Sequence, residues 1–577
     1  MRLVYSLRRS LFCLLISLWI GLVVCVPHGS AQDIPSASDP ARIREQIAPA
    51  PETPRASIEI PAPSGPVGMP IPEGAEKYLF TPSHIEVSGV RYLDPEKITA
   101  ITDPYANREM AVIDLYGLAQ RITRLYQDAG YLLSRAIIPP QEIENNQVVR
   151  IDVIEGYIAD VLTQGERYPA FPVRQMIDQL KDGSPLNIHV LERQLLLLDQ
   201  LPGLSVRAVL LPLDAVQAQD VEAGGVALNL IFDEDPNQYM ASVDNYGSKF
   251  VGPWQAGVQA DIATHWPYLA ETSLSFQTTA QTHELKFLSA EQSIPVSSGG
   301  LRLVGALDYS RSEPGFTLDP SDVFSRYRSV RLGVEYPFII SREKVLEGFT
   351  FLEAKNVEST LLSLPFYDDR LRVWRGGVRY QDTYGRGETK IDVTLSRGVD
   401  ALGARPAGAL NVSRAQGKPD FTTLDMNLRR RQSLSEEWEM RLGLSGQMAS
   451  SPLLSSEEFG FGGISRGRGY DPSEITGDNG ISGSLELVYT GFNVDTDYLT
   501  TASVQPFAFY DAGKVWNRDQ GGRMLSAASA GVGARISLEN RVFVTGAVAF
   551  PLTRSAGNPP YGNGSSPRFL LGLQVQF

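Results

Sequence analysis

The C-terminal part of the chain keeps a period of two. From Asn237 to Phe577 apolar and polar residues alternate in run after run, which is how a strand reads when its two faces meet different surroundings. Trp254, Ala256, Val258, Ala260 and Ile262 share one face, against Gln255, Gly257, Gln259 and Asp261 on the other. Leu301, Leu303, Leu307 and Tyr309 oppose Arg302 and Asp308, and Val330, Leu332, Val334 and Tyr336 oppose Arg331 and Glu335. Trp438, Met440, Leu442 and Leu444 oppose Glu439, Arg441, Ser445 and Gln447.

A soluble all-β domain with its apolar faces in a core is the bland account. Two features favour lipid. Aromatics stand near strand ends (Trp254, Trp266, Tyr309, Tyr336, Trp438), where interfacial girdles require them, and the charges on the opposite face are numerous enough to need a water-filled lumen. Beyond the first residues no stretch reaches the ~18 apolar residues of a membrane helix. If the chain spans a membrane, it does so as a closed barrel. The mean hydropathy of -0.12 agrees, because only alternate strand residues face lipid. At roughly 20 residues per strand with its connection, the span 237–577 suggests about 16 antiparallel strands.

A chain of 577 residues is too long for one compact domain. Arg2, Arg8 and Arg9, then apolar Leu11 to Val26, then Gly29-Ser30-Ala31 read as a secretory signal over residues 1–31. Both cysteines, Cys13 and Cys25, lie within it, so the exported chain offers no thiol for catalysis or metal binding. Lipid attachment at Cys25 is disfavoured by the bulky Val24 before it. A net charge of -14 argues against nucleic acid or an anionic lipid surface as the main partner, since both need clustered positive charge.

Residues 32–79 are rich in proline and read as a linker. One island, Asp39 to Ile47, has the signs of a short helix, with Asp39 as cap and Pro40 in first position. Two α+β units follow, at 80–156 and 157–236. The first has strands at His84–Val87, Ser134–Ile138 and Val148–Ile154, with a helix carrying Leu115, Leu118, Ile122 and Leu125 that stops at Gly130. The second repeats this with Ile158–Leu162, a helix carrying Leu191, Leu195 and Leu198, then Ser205–Leu211 and Val226–Phe232. Arg135-Ala136-Ile137-Ile138-Pro139 is echoed by Arg207-Ala208-Val209-Leu210 with Pro212 close behind, which suggests duplication.

The final strand puts Phe569, Leu571, Leu573, Val575 and Phe577 on one side and ends on an aromatic, as suits a free edge read during membrane insertion. Enzyme chemistry finds little support. Gly463-Ile464-Ser465-Arg466-Gly467 matches a hydrolase elbow, but no helical pattern follows it. The histidines beyond the leader (His84, His189, His265, His283) show no metal-ligand spacing, so neither cofactor nor metal is expected.

Taken whole, the chain resembles the two-partner secretion transporters of the haemolysin-activator and filamentous-haemagglutinin-exporter type. The resemblance is carried by Gly130-Tyr131, Ser134-Arg135-Ala136, Pro139-Pro140-Gln141 and Val153-Ile154-Glu155-Gly156, similar to the end of that family's first POTRA domain. It is carried further by the glycine-rich Phe459 to Tyr470, with Gly467-Arg468-Gly469-Tyr470, and by Phe509-Tyr510-Asp511-Ala512-Gly513. These are similar to the tip of the family's sixth extracellular loop, which folds back into the barrel, and to its inner-wall motif.

The resemblance implies two POTRA domains in the periplasm and a barrel in the Gram-negative outer membrane. It implies as partners a large secreted adhesin, haemolysin or iron-acquisition protein, the barrel-assembly machinery and outer-membrane lipids. It also implies that Arg468, anchored by Asp511, holds the loop tip, with Phe509, Asp511 and Gly513 facing the lumen. Glycine permits the tight returns and arginine the bidentate pair. Gly467 stands where the family usually has valine, and Arg466 is a second candidate arm. A barrel-insertion machine of the same superfamily is the rival reading.

Overall fold

The computed structural model describes residues 35–47, 71–165, 171–181, 185–213, 223–234, 237–264, 269–494, 502–518, 524–553 and 566–577. The expected leader and Trp266 lie outside them. No helix among these residues is long and apolar enough to cross a membrane.

Helix α1 (Pro95–Thr102) starts where Asp94 Oδ1 accepts the Glu96 N–H at 3.1 Å. Helix α2 (Val112–Asp128) is opened by Asp114, whose Oδ2 accepts the Ala111 N–H at 2.9 Å, and is followed by Gly130 at φ +92°. Its Leu115, Leu118, Ile122 and Tyr126 are at most 1% exposed. Each such burial contributes about 1.5–3 kcal/mol against about 1 kcal/mol for a cap, so packing rather than capping holds the helix. The helix lies on a three-stranded sheet in which Val148–Ile154 is central, parallel to His84–Ser88 and antiparallel to Arg135–Ile137.

The next unit repeats that order: helices α3 (Val173–Leu180) and α4 (Ile188–Asp199), with Gly225–Glu234 central, parallel to Tyr157–Gln164 and antiparallel to Leu204–Pro212. The two units are joined through the resemblance residues. Glu155 Oε1 accepts from the N–H groups of Arg91 and Tyr92 and from the Tyr126 hydroxyl. At Gly156 a Cβ would come within 2.4 Å of Leu133 Cβ.

From Gln238 onward every described strand joins one closed antiparallel barrel, except Phe459–Phe461 and Ile475–Gly477, which pair only with each other. Asn479–Tyr489 and Phe492–Val494 both pair with Ala502–Trp516 and are two lengths of one strand, so the described elements make 16 strands. Arg568–Gln576 closes on Gln238–Asp244, with Gly572 opposite Asp244 and Gln576 opposite Met240. The alternation read from the sequence has the polarity of a membrane barrel. Leu307, Leu332, Leu352 and Phe569 point outward and are 57 to 67% exposed, while Ser310, Ser329, Glu335 and Asp511 are buried within. In water so large an apolar girdle would be an association surface; in lipid it is solvated.

The barrel sits on the second α+β unit. Arg193 on α4 donates to the carbonyls of Pro337 at 2.8 Å and Gly299 at 3.3 Å, and Glu192 Oε1 accepts the Arg342 N–H at 2.9 Å. Leu269 and Ile340, from the same end of the barrel, extend that unit's apolar core. Short turns such as 296–301 and 341–343 lie at this end, and the longer connections 399–421 and 450–478 at the other.

Candidate functional site: a loop and a terminal segment inside the barrel

The connection 450–478 turns inward instead of standing clear of the barrel. It forms a small hairpin, Phe459–Phe461 paired with Ile475–Gly477, and its tip runs down the inner wall. Gly467, at φ +131°, leaves no room for a side chain, since a Cβ would lie 2.7 Å from the Phe461 ring. The same ring occupies the dent above Gly513, where a Cβ would come within 2.1 Å of Phe461 Cδ2. Residues 462–474 hold no helix, which removes the context a hydrolase elbow needs.

Arg468 is 7% exposed and meets Asp511, itself 1% exposed. Its Nε donates to Asp511 Oδ2 at 3.0 Å, its Nη2 to Oδ1 at 2.8 Å, and its backbone N–H to Oδ2 at 3.0 Å. The guanidinium lies 3.5 Å above the centroid of Phe509. The structure thus brings Arg468 to the wall carboxylate. Arg466 instead reaches Asn427 Oδ1 at 3.4 Å and stacks on Phe459. The Gly469 N–H donates to Ser529 Oγ at 3.2 Å, and the Tyr470 hydroxyl lies 2.8 Å from the carbonyls of Ala528 and Thr553.

Several partners are named by neither motif. Glu486 Oε2 accepts from Arg468 Nη1 at 2.7 Å, and Arg535 grips both Glu486 oxygens at 2.6 and 3.0 Å. Ser484 lies directly opposite Asp511 and donates to Oδ1 at 2.7 Å. The parity rule could have found both, because Ser482, Ser484 and Glu486 share the inward face of their strand. The base of the loop is held on the far wall, where Glu457 bonds Arg375 at 2.9 Å and pairs with Lys355. Arg568, 2% exposed at the head of the closing strand, donates to the Tyr470 carbonyl and, at 3.0 Å, to that of Gly247. Nothing in the sequence marks it out from an ordinary strand-end charge.

A second piece fills the lumen. Residues Pro40–Glu45 form a 3-10 helix with Asp39 as cap, its Oδ1 accepting the Ala41 N–H at 2.9 Å. The expected helix is therefore present over a shorter span and in the tighter 3-10 form. Its six residues and early proline give too little length for α-helical nucleation, so packing fixes it instead. Ile43 packs on Val251, Leu285 and the inward Phe287. Arg42 donates to the carbonyls of Ser455 and Glu458 and to Ser473 Oγ, so this segment leans on the infolded loop. In the closing strand Phe569, Leu571, Leu573 and Phe577 are outward and 40 to 72% exposed, and Val575 shares their parity.

Residues 226–536 match the family described as haemolysin secretion/activation protein ShlB/FhaC/HecB, and residues 80–156 match the POTRA domain of ShlB type. The chain belongs to this family. It is an outer-membrane β-barrel transporter of the two-partner secretion type, as the resemblance implied. Among its relatives, the heme/hemopexin transporter protein HuxB of Haemophilus influenzae (strain 86-028NP) is 21% identical over 510 residues, covering 81% of this chain and 84% of that protein. The structure of CdiB from Escherichia coli aligns with a TM-score of 0.72 at 18% identity, over 90% of this chain and 94% of that one. BamA from Haemophilus ducreyi, lacking POTRA domains 1-3, aligns with a TM-score of 0.51 at 12% identity, over 87% and 100%. The rival reading as an insertase shares that fold but not the family.

Proposed function

We infer that this chain is the pore through which one large secreted protein leaves the cell. The passenger is recognised while unfolded, in the periplasm, by the two α+β domains, the second being a further POTRA domain by its sheet order. The observation that carries this is a barrel with a polar wall whose lumen is filled by two separable pieces, residues 35–47 and the loop 450–478. A passage is implied by what closes it.

Recognition by strand addition is supported by the sheet edges. His84–Ser88, Arg135–Ile137 and Leu204–Pro212 each pair on one side only among the described residues. Arg468, flanked by Gly467, Gly469 and Tyr470, anchors the loop tip to Asp511, Phe509 and Gly513. No nucleotide loop of GxxxxGK[ST] type is present, so folding of the passenger outside supplies the drive. Phe569, Leu573, Val575 and Phe577 form the edge that the assembly machinery reads during insertion. HuxB's name refers to heme/hemopexin transport, which makes an iron-acquisition protein one class of passenger beside adhesins and haemolysins.

Deleting the gene and comparing the growth medium with the outer-membrane proteins tests the reading. Loss of one large secreted protein with the other barrels intact is expected. General depletion of barrels would make the chain an insertase.

A further inference from the structure

Charged side chains on the lipid face of a barrel are tolerated near its rims, and one arc of this rim gathers basic ones. At the end away from the α+β domains, Lys286 is paired in register with Arg311, and Arg311 with Arg326. Arg328 follows two residues further along the same strand, opposite Tyr309. The face is the outward one. Leu288, Tyr309 and Val330 share its parity and are 50, 39 and 44% exposed, whereas the intervening Phe287, Ser310 and Ser329 are buried. On one flank the outward rim positions Trp254, Val243 and Phe569 carry no charge, and on the other Glu358 is followed by Asp368, which is paired with Arg370.

Residues directly opposite in an antiparallel pair sit about 5 Å apart, and like charges there repel. Only part of that repulsion is offset within the protein. Glu313 lies 2.5 Å from Arg311 and Glu358 3.7 Å from Arg326, which leaves two carboxylates for four cations. Lys286 and Arg328 have no ion pair among the described residues. The rings help to fix the fan, since Arg311 and Arg326 lie 5.0 and 5.4 Å from the Phe324 centroid. The height is also telling. The ten residue steps from Phe338 to Arg328, at about 3.3 Å each and a tilt near 40°, cover roughly 25 Å, the height of a barrel's apolar band. Arg328 and Arg326 therefore stand just beyond the hydrocarbon, at headgroup level.

We propose that Lys286, Arg311, Arg326 and Arg328 bind the phosphate groups of an outer-leaflet glycolipid. Arginine forks suit phosphate oxygens, and a lipid bearing two phosphates supplies the missing negative charge. The chain's net charge of -14 does not oppose this, because exposed charges are screened beyond about 8 Å and the cluster acts locally. The assignment to the outer leaflet rests on the membrane placement given under Proposed function.

Thermal unfolding of the full chain in detergent tests it, with diphosphorylated lipid A, the same lipid dephosphorylated, and inorganic phosphate as probes. A raised midpoint with the diphosphorylated lipid alone is expected. Lys286→Gln with Arg328→Gln should weaken the apparent affinity about tenfold or more, while Lys286→Arg with Arg328→Lys retains it. An equal shift with the dephosphorylated lipid or with inorganic phosphate would overturn the proposal, as would an undiminished shift in the glutamine variant. Labelling of Lys286→Cys by an impermeant maleimide on intact cells tests the placement separately. An unlabelled cysteine would remove the outer leaflet from the proposal whatever the lipid result.

Discussion

Arg468→Ala should release the infolded loop, and the contacts set the scale. The change removes two side-chain bonds to Asp511, one to Glu486 and one to Ser484 inside a filled lumen. Glu486 keeps Arg535, but Asp511 keeps only Ser484 and the backbone N–H of residue 468. Breaking one side of a buried pair costs about 3–5 kcal/mol, much of it from the charge left behind. At about 1.36 kcal/mol per decade, the docked-to-released ratio should fall by roughly two to four decades. Undocking lets Asp511 meet water, so the cost falls on the docked state.

Ser465 is exposed at the loop tip, and no other cysteine exists beyond residue 25, so a spin label at S465C reports docking directly. Arg468→Ala should turn an immobile spectrum into a mobile one. Arg468→Lys should fall between, having charge without the planar fork. A spectrum unchanged by Arg468→Ala, or an Arg466→Ala variant as mobile as Arg468→Ala, would refute the reasoning.

Gly513→Val should expel the Phe461 ring, at an overpacking cost of about 1–3 kcal/mol, and speed tryptic cleavage within 450–478; adding Phe461→Ala should restore much of the resistance. Arg42→Ala loses the bonds that tie residues 35–47 to the loop, so single-channel conductance in planar bilayers should rise, and unaltered conductance would count against a lumenal plug. Arg193→Ala cuts three bonds between α4 and the barrel, to the carbonyls of Gly299, Pro337 and Phe338, each worth about 1 kcal/mol, so hydrogen exchange at 296–301 and 337–345 should quicken several-fold while the far rim is unchanged.

The barrel was legible because its rule is local. Parity alone puts Leu307 and Leu332 in lipid and Glu335 inside, and the two α+β units announce themselves by helical faces such as Leu115, Leu118 and Ile122. The lumen was much less legible, because its contacts join residues far apart in the chain. The motifs suggest Asp511 for Arg468, and parity turns Glu486 inward, yet nothing local pairs Glu486 with Arg468 or points to Arg535 beyond it or to the ring of Phe461 seated on Gly513. Arg568 reads as a strand-end charge, and only the carbonyls of Tyr470 and Gly247 closing over it make it a buried clasp. Residues 39–47 show a cap and a proline but not the neighbours that select a 3-10 turn.

The central claim is passage through the lumen, and photocrosslinking during export tests it most directly. Asp392 faces inward and its neighbour Val393 shares the lipid-facing parity of Leu395 on the strand Gly387–Gly398. A photoreactive residue at position 392 should capture the passenger as a high-mass adduct in exporting cells, and one at position 393 should not. No adduct from 392, or equal adducts from both positions, would contradict transit through the barrel.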